Sequence, residues 1–271
     1  MTDYELSHGY ECVNLYRSGA IAKIELNRPD KMNAWNTQLG LDLLDAVRAT
    51  ADDPGVRAVL VTGAGRAFSS GADLTAGVDT FTPDGAPDLR RVLTERYHPI
   101  ITGIRQMPKP VVAAVHGAAA GIGLSLALAC DLIIAAESSY FLLAFVNIGL
   151  VPDGGSSLLV PSRVGFARAA QMALLGERIP ARQALDWGLI NQVWPDGDMA
   201  LRADDLVNGF AAGPTASYAG TKRQLNHWLY QQMDAQLEFE ADIQQEMAGS
   251  ADFAEGVAAF AQKRKPHFTG H

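Results

Sequence analysis

The sequence predicts an α/β fold. Apolar runs of strand length alternate with stretches of helical period, clusters of Gly, Asp and Asn separate them, and the last third reads as helix throughout. Such alternation favours parallel pairing through helical crossovers, and α/β proteins carry their chemistry on the loops that follow strand C-termini.

Residues 10–27, YECVNLYRSGAIAKIELN, alternate polar and apolar about Ser18-Gly19 and form a hairpin. The loop NRPDKMNAWN follows. Thr37 is placed to cap a helix whose Leu41, Leu44 and Val47 recur at helical spacing until Asp52-Asp53-Pro54-Gly55 stops it. Val56 to Thr62 is a buried strand, and GAGRAFSSGADL after it is a glycine-rich loop. An amphipathic helix spans about 88–107, and a strand spans 110–115. The helix expected at 121–130 is apolar on every side and therefore buried. A strand at 131–136 follows, then the segment FLLAFVNIGLVPDGG, short helices near 155–160, 165–175 and 180–187, and a strand at 189–194. In 214–248, Leu225, Trp228, Leu229, Met233 and Leu237 fall on one face, a stripe expected to bury. The chain thus divides into a core of residues 1–197 and a helical region of residues 198–271.

With 271 residues, 48% of them hydrophobic, the chain can bury a large core without covalent staples. Cys12 and Cys130 are too few and too far apart for a disulfide framework or a zinc site, which fits a reducing compartment. The N-terminal stretch MTDYELSHGYECVNLYRSG carries no leader pattern and no apolar run reaches spanning length, so a soluble, cytoplasmic protein with no membrane partner is expected. A net charge of -8 argues against non-specific nucleic-acid binding. It leaves room for one phosphorylated small molecule on a local basic patch, for which Arg28, Lys31, Arg66 and the run Lys263-Arg264-Lys265 are candidates.

Gly117, Gly121 and Gly123 stand between a strand and a helix, and each costs roughly 0.5–1 kcal/mol relative to Ala inside an element. Three explanations compete. A dinucleotide site would use Gly117 to Glu137, although Leu126 stands where its third glycine belongs. Close packing of the helix on the sheet would explain these glycines but not the second glycine-rich loop at Gly63 to Gly71. The third joins the two loops: unpaired N–H groups at a helix start, cleared of side chains, make an oxyanion hole.

IELNRPDKMNAWN, AFSSGADL, VVAAVHGAAAGIGLSLALACDLIIAAESSYF, IGLVPDGGSSLLVPSRVG and FAQKRKPHF, in this order across nearly the whole chain, resemble the crotonase (enoyl-CoA hydratase/isomerase) family. The resemblance implies a spiral of β-β-α units with a C-terminal helical region for oligomerisation. It implies an acyl-coenzyme A thioester as substrate, no separate cofactor, no metal, and assembly as a homotrimer or dimer of trimers. It places the oxyanion donors at the backbone N–H of Ala72 and Ile122. Around the coenzyme A and the acyl chain it places Arg28, Lys31, Ala34, Gly71, Asp73, Leu74, Gly121, Ser125, Phe145, Phe260 and Lys263.

Hydratases of that family activate water with two glutamates, and here Ser125 and Phe145 occupy those positions. Asp153, in IGLVPDGG, matches a position where isomerases of the family carry a proton-moving aspartate. The same Pro-Asp-Gly triplet is a turn sequence and recurs at Pro83-Asp84-Gly85 and Pro195-Asp196-Gly197, where no chemistry is assigned. The resemblance thus implies an enoyl-CoA isomerase with Asp153 as base. The alternatives are a hydratase using other groups, a non-catalytic acyl-CoA binder and an NAD-dependent oxidoreductase. Asp73 and Asp131 are expected to be structural, and His116 to hydrogen-bond within its loop.

Overall fold

The computed structural model describes residues 2–77, 79–83 and 85–271; Asp84 of the Pro83-Asp84-Gly85 triplet lies outside them. A seven-stranded sheet runs β1 (Glu5–Gly9), β2 (Val13–Ser18), β3 (Ile21–Leu26), β4 (Ala58–Gly63), β5 (Val111–Val115), β7 (Leu132–Ala136) and β10 (Gln192–Trp194) in spatial order. The first three strands are antiparallel neighbours, and every pair from β3 to β10 is parallel. A second sheet pairs β6 (Ala118–Ala120) parallel to β8 (Tyr140–Leu142), which pairs antiparallel with β9 (Ile179–Pro180).

The helices are α1 (Thr37–Asp52), α2 (Leu89–Val92), α3 (His98–Gln106), α4 (Ile122–Ala129), α5 (Ser156–Val164), α6 (Phe166–Leu175), α7 (Ala181–Asp186), α8 (Met199–Ala212), α9 (Thr215–Leu229), α10 (Met233–Ala248) and α11 (Ala251–Ala261). Strand side chains alternate between two cores because successive residues point to opposite faces. Val59, Val61, Ala113 and Val115 face a large core with α1, α3 and α4, while Ala58, Leu60, Val112 and Ala114 face Met199, Ala203 and Val207 of α8. Helix α8, just past the expected division at residue 197, therefore covers the second face of the sheet.

The structure refines several sequence expectations. The cap of α1 is Asn36, whose side chain accepts from Leu39 N–H at 2.9 Å, and not Thr37. The helix expected over 88–107 consists of α2, a π-helical turn at Leu93–Tyr97 and α3. The last strand is short, Gln192–Trp194. The 214–248 segment is two helices, and its stripe divides: Met233 and Leu237 are buried, whereas Leu225 and Trp228 stand 51% and 73% exposed. Cys12 and Cys130 are both free and buried.

Candidate active site

The two glycine-rich loops meet. Loop 64–74 begins where β4 ends, and it is stitched to β6: Ser69 N–H donates to the Ala118 carbonyl (2.9 Å) and Ala120 N–H to the Ser69 carbonyl (3.0 Å). From the other side, Trp35 N–H donates to the Gly71 carbonyl (2.8 Å) and Asp73 N–H to the Trp35 carbonyl (2.9 Å). Buried Asn33 fastens the base of the loop, its Nδ2 donating to the Ala64 and Ala67 carbonyls at 2.9 and 2.7 Å.

Helix α4 starts at Gly121, whose φ of 51° and ψ of -130° suit only a residue without Cβ. Gly123 serves the approach of the loops: a Cβ there would stand 2.6 Å from the Ser69 side chain. A Cβ on Gly71 would stand 3.0 Å from the Ala120 carbonyl oxygen. The glycines thus let the backbone of one loop lie against the other, and Ala72 and Ile122 follow directly after the contact pair Gly71 and Gly121. Among the described residues, neither the Ala72 nor the Ile122 N–H donates to another protein group. The Ile122 side chain is buried and packs over Gly154, where a Cβ would come within 2.5 Å of its Cδ1.

Both of these residues line a cavity of about 560 Å3. Gly71, Asp73, Leu74 and Gly121 line it beside them, as do Lys31, Ala34, Phe145 and Phe260. Asp153 also reaches it, though only 5% exposed. Its Oδ2 accepts from Gln244 Nε2 at 2.9 Å, whereas Oδ1 has no partner among the described residues. Burial first, then the charge of Glu240, raises the Asp153 pKa to about 8, against a smaller opposing effect of the Gln244 hydrogen bond.

Three expected site residues are placed differently. Ser125 is wholly buried on α4 and turns its hydroxyl to the Asp153 carbonyl (2.8 Å), so it supports the loop and does not line the cavity. Arg28 sits behind the wall, bonded to the Ala34 carbonyl and to Asp73 Oδ2 at 3.0 Å. Lys263, with a left-handed φ of 53° just past the end of α11, lies outside the lining, whereas its neighbour Arg264 is part of it. Burial pushes Asp73 upward, but hydrogen bonds from Thr75 and Arg28 outweigh it and hold the carboxyl below the usual range.

Asp131 stands away from the cavity, paired with Lys222 at 2.8 Å and Arg105 at 3.3 Å, and His116 Nε2 lies 3.0 Å from the Gly65 carbonyl. The features of the dinucleotide alternative are occupied otherwise. Gly117 leaves room for the Arg66 carbonyl, and Glu137 pairs with Arg182.

The sequence reading missed Tyr97, Glu240 and Gln244. Tyr97 ends the π-helical turn, lines the cavity, and stacks edge-on against Trp35 with centroids 5.2 Å apart. Burial, then the nearby charge of Asp153, raises its phenol well above the ordinary range. The signal for Glu240 and Gln244 was two polar residues one turn apart on the inward face of α10, beside Met233, Leu237 and Ala241.

Among the described residues, no helix is long and apolar enough to cross a membrane. Residues 16–271 match the family described as Enoyl-CoA hydratase/isomerase. A probable enoyl-CoA hydratase of Rhodobacter capsulatus is 43% identical over 96% of this chain and 99% of its own. The 1,2-epoxyphenylacetyl-CoA isomerase of Escherichia coli is 41% identical over 92% of this chain and 95% of its own. The crystal structure of an enoyl-CoA hydratase from Mycobacterium avium subsp. paratuberculosis superposes with a TM-score of 0.88 at 39% identity, covering 96% of this chain and all of that one. The chain has the crotonase fold and belongs to the enoyl-CoA hydratase/isomerase family.

Proposed function

We propose that this protein is an enoyl-CoA isomerase that shifts a double bond from C3=C4 to C2=C3 of an acyl-CoA. The single observation that carries the reading is Asp153: a buried carboxyl at the cavity, one oxygen unpartnered, in a site whose other two candidate positions hold Ser125 and Phe145. The carboxylate takes a proton from C2, and the C2–H electron pair moves into an enolate with its charge on the thioester oxygen. Ala72 and Ile122 N–H hold that oxygen, a kind of donor worth about 2.7–4 kcal/mol each when lost elsewhere. Oδ1 then returns the proton to C4, the C3=C4 bond becomes C2=C3, and the carboxylate is regenerated. No activated water is needed. A carboxyl raised to about 8 is a stronger base than an exposed aspartate and still ionisable near neutral pH.

Product analysis of a panel of 3-enoyl, 2-enoyl and 3-hydroxyacyl thioesters tests this, with wild type and Asp153→Ala side by side. Isomerisation of 3-enoyl-CoA that collapses in the variant supports the reading, and full activity in the variant overturns it. Hydration is the second reading, favoured by the name of the Rhodobacter relative, and water addition to 2-enoyl-CoA in the same panel would establish it. Assembly as a homotrimer or dimer of trimers belongs to the same proposal. Exposed Phe166 (84%), Leu174 (73%) and Trp228 (73%) offer apolar surface for it, and sedimentation equilibrium measures it.

A further inference from the structure

Helix α10 reaches the candidate base from 91 residues further along the chain. Glu240 and Gln244, one helical turn apart, point to the same side. Glu240 accepts from Gly155 N–H at 2.7 Å and from Ser157 N–H at 3.0 Å. Gln244 accepts from Val151 N–H through Oε1 at 3.1 Å and donates through Nε2 to Asp153 Oδ2 at 2.9 Å. The helix therefore grips the loop on both sides of Asp153 and also grips its carboxyl. Glu240 and Gln244 are 3% and 1% exposed, and burying such groups is costly unless their hydrogen bonds are made. A fold that only needed to close its core here would be served by leucines, as at Leu237 on the same face.

We propose that Glu240 and Gln244 are positioning residues for Asp153: Gln244 fixes the rotation of the carboxyl so that Oδ1 is the oxygen presented to substrate, and Glu240 holds the loop with a negative charge set behind it. The inference rests on the reading of Asp153 as the base. Its electrostatic consequence follows from what surrounds the carboxyl. The titratable groups that act on or with Asp153 are Glu240 from α10 and Tyr97 from the π-helical turn, and α4 contributes the neutral Ser125. No cation is among them to hold the carboxylate ionised. Glu240 is itself raised to about 7 by burial, against the hydrogen bonds from Ser157 and Gly155, so it acquires charge over the same range in which Asp153 ionises. The charge of Glu240 makes the Asp153 proton harder to remove.

Full-length Gln244→Leu, Glu240→Gln and Asp153→Asn test the inference with two readouts. One is kcat and KM on 3-enoyl-CoA across pH. The other needs no turnover: infrared difference titration of the carboxyl C=O band that disappears in Asp153→Asn. Gln244→Leu is expected to lower kcat about 100-fold, the scale of a misplaced catalytic group, with KM nearly unchanged. Glu240→Gln is expected to move the infrared midpoint of Asp153 and the rising limb of kcat/KM to lower pH together. Gln244→Leu removes no charge and decides the matter through kcat even if Glu240→Gln does not fold. An unmoved midpoint in folded Glu240→Gln overturns the inference, as does wild-type kcat in Gln244→Leu. Full turnover in Asp153→Asn would instead overturn the assignment of the base, and the infrared titration would still report whether α10 governs that carboxyl.

Discussion

Gly71 and Gly121 lie against one another: a Cβ built on either would stand 3.7 Å from the other's Cα. Each has a left-handed φ, 94° and 51°, and each immediately precedes one of the two N–H groups proposed to hold the thioester oxygen. Gly121→Ala has space for its methyl group, which would touch Gly71 Cα at an ordinary 3.7 Å, but it forces an L residue into a φ of 51° that such residues rarely adopt. The expected cost is about 1–3 kcal/mol of stability, seen as a lower urea midpoint. Turnover should fall further than stability does, because relief of that strain rotates the backbone that carries the Ile122 N–H.

The proton affinity of Asp153 fixes the sign of the pH dependence. The base works only when ionised, so kcat/KM should rise with pH through about 8 and level off above it. Asp153→Asn should lose about 10²–10⁴ in kcat and abolish that limb. A rising limb placed instead near pH 4 would show the carboxyl to be solvated during turnover.

The same raised values make stability fall as pH rises. Asp153 and Glu240 hold their protons in the folded chain up to about 8 and about 7, whereas the unfolded chain releases them near 4. Stability from these groups is full below pH 4 and is lost progressively as pH climbs to about 8. Asp153→Asn should flatten this slope and stabilise the protein at pH 9 relative to wild type, by an amount of order a few kcal/mol. Urea midpoints at pH 5 and pH 9 for both proteins check it.

Lys222 predicts a defect of a different kind. Its Nζ donates to Asp131 Oδ2 and to the Ile104 carbonyl, both at 2.8 Å, and it is the buried residue by which α9 is held. Lys222→Met takes the donor from the Ile104 carbonyl but leaves Asp131 with Arg105 and the Val111 N–H, and should cost about 1–3 kcal/mol. Hydrogen exchange should show α9 opening first, while KM for thioesters stays as in wild type because Lys222 lies off the cavity.

What the sequence disclosed depended on how far apart in the chain the partners were. The hairpin was readable because its period of two and its Ser18-Gly19 turn are local, and α4 because an eight-residue helix apolar on every face has only one place to be. The three-residue strands β6 and β8 carry no period of their own and exist because Ala118 and Tyr140 meet across the site. Asp153 was found from its motif, but the features that give its carboxyl its character, Glu240 and Gln244, come from a helix with no link to that motif in sequence. Lys263 and Arg264 show how far a motif alone locates a side chain: of two adjacent cations past a helix end, Arg264 lines the cavity and Lys263 does not.

The grip of α10 on the 151–157 loop also has a consequence in time. The walls that carry Ala72 and Ile122 leave the ribosome well before the helix that secures Asp153, which trails it by 91 residues, or roughly 5–18 s at ordinary translation speeds. Until α10 arrives, the nascent chain holds the cavity walls with the proposed base on a turn that lacks its Glu240 and Gln244 hydrogen bonds.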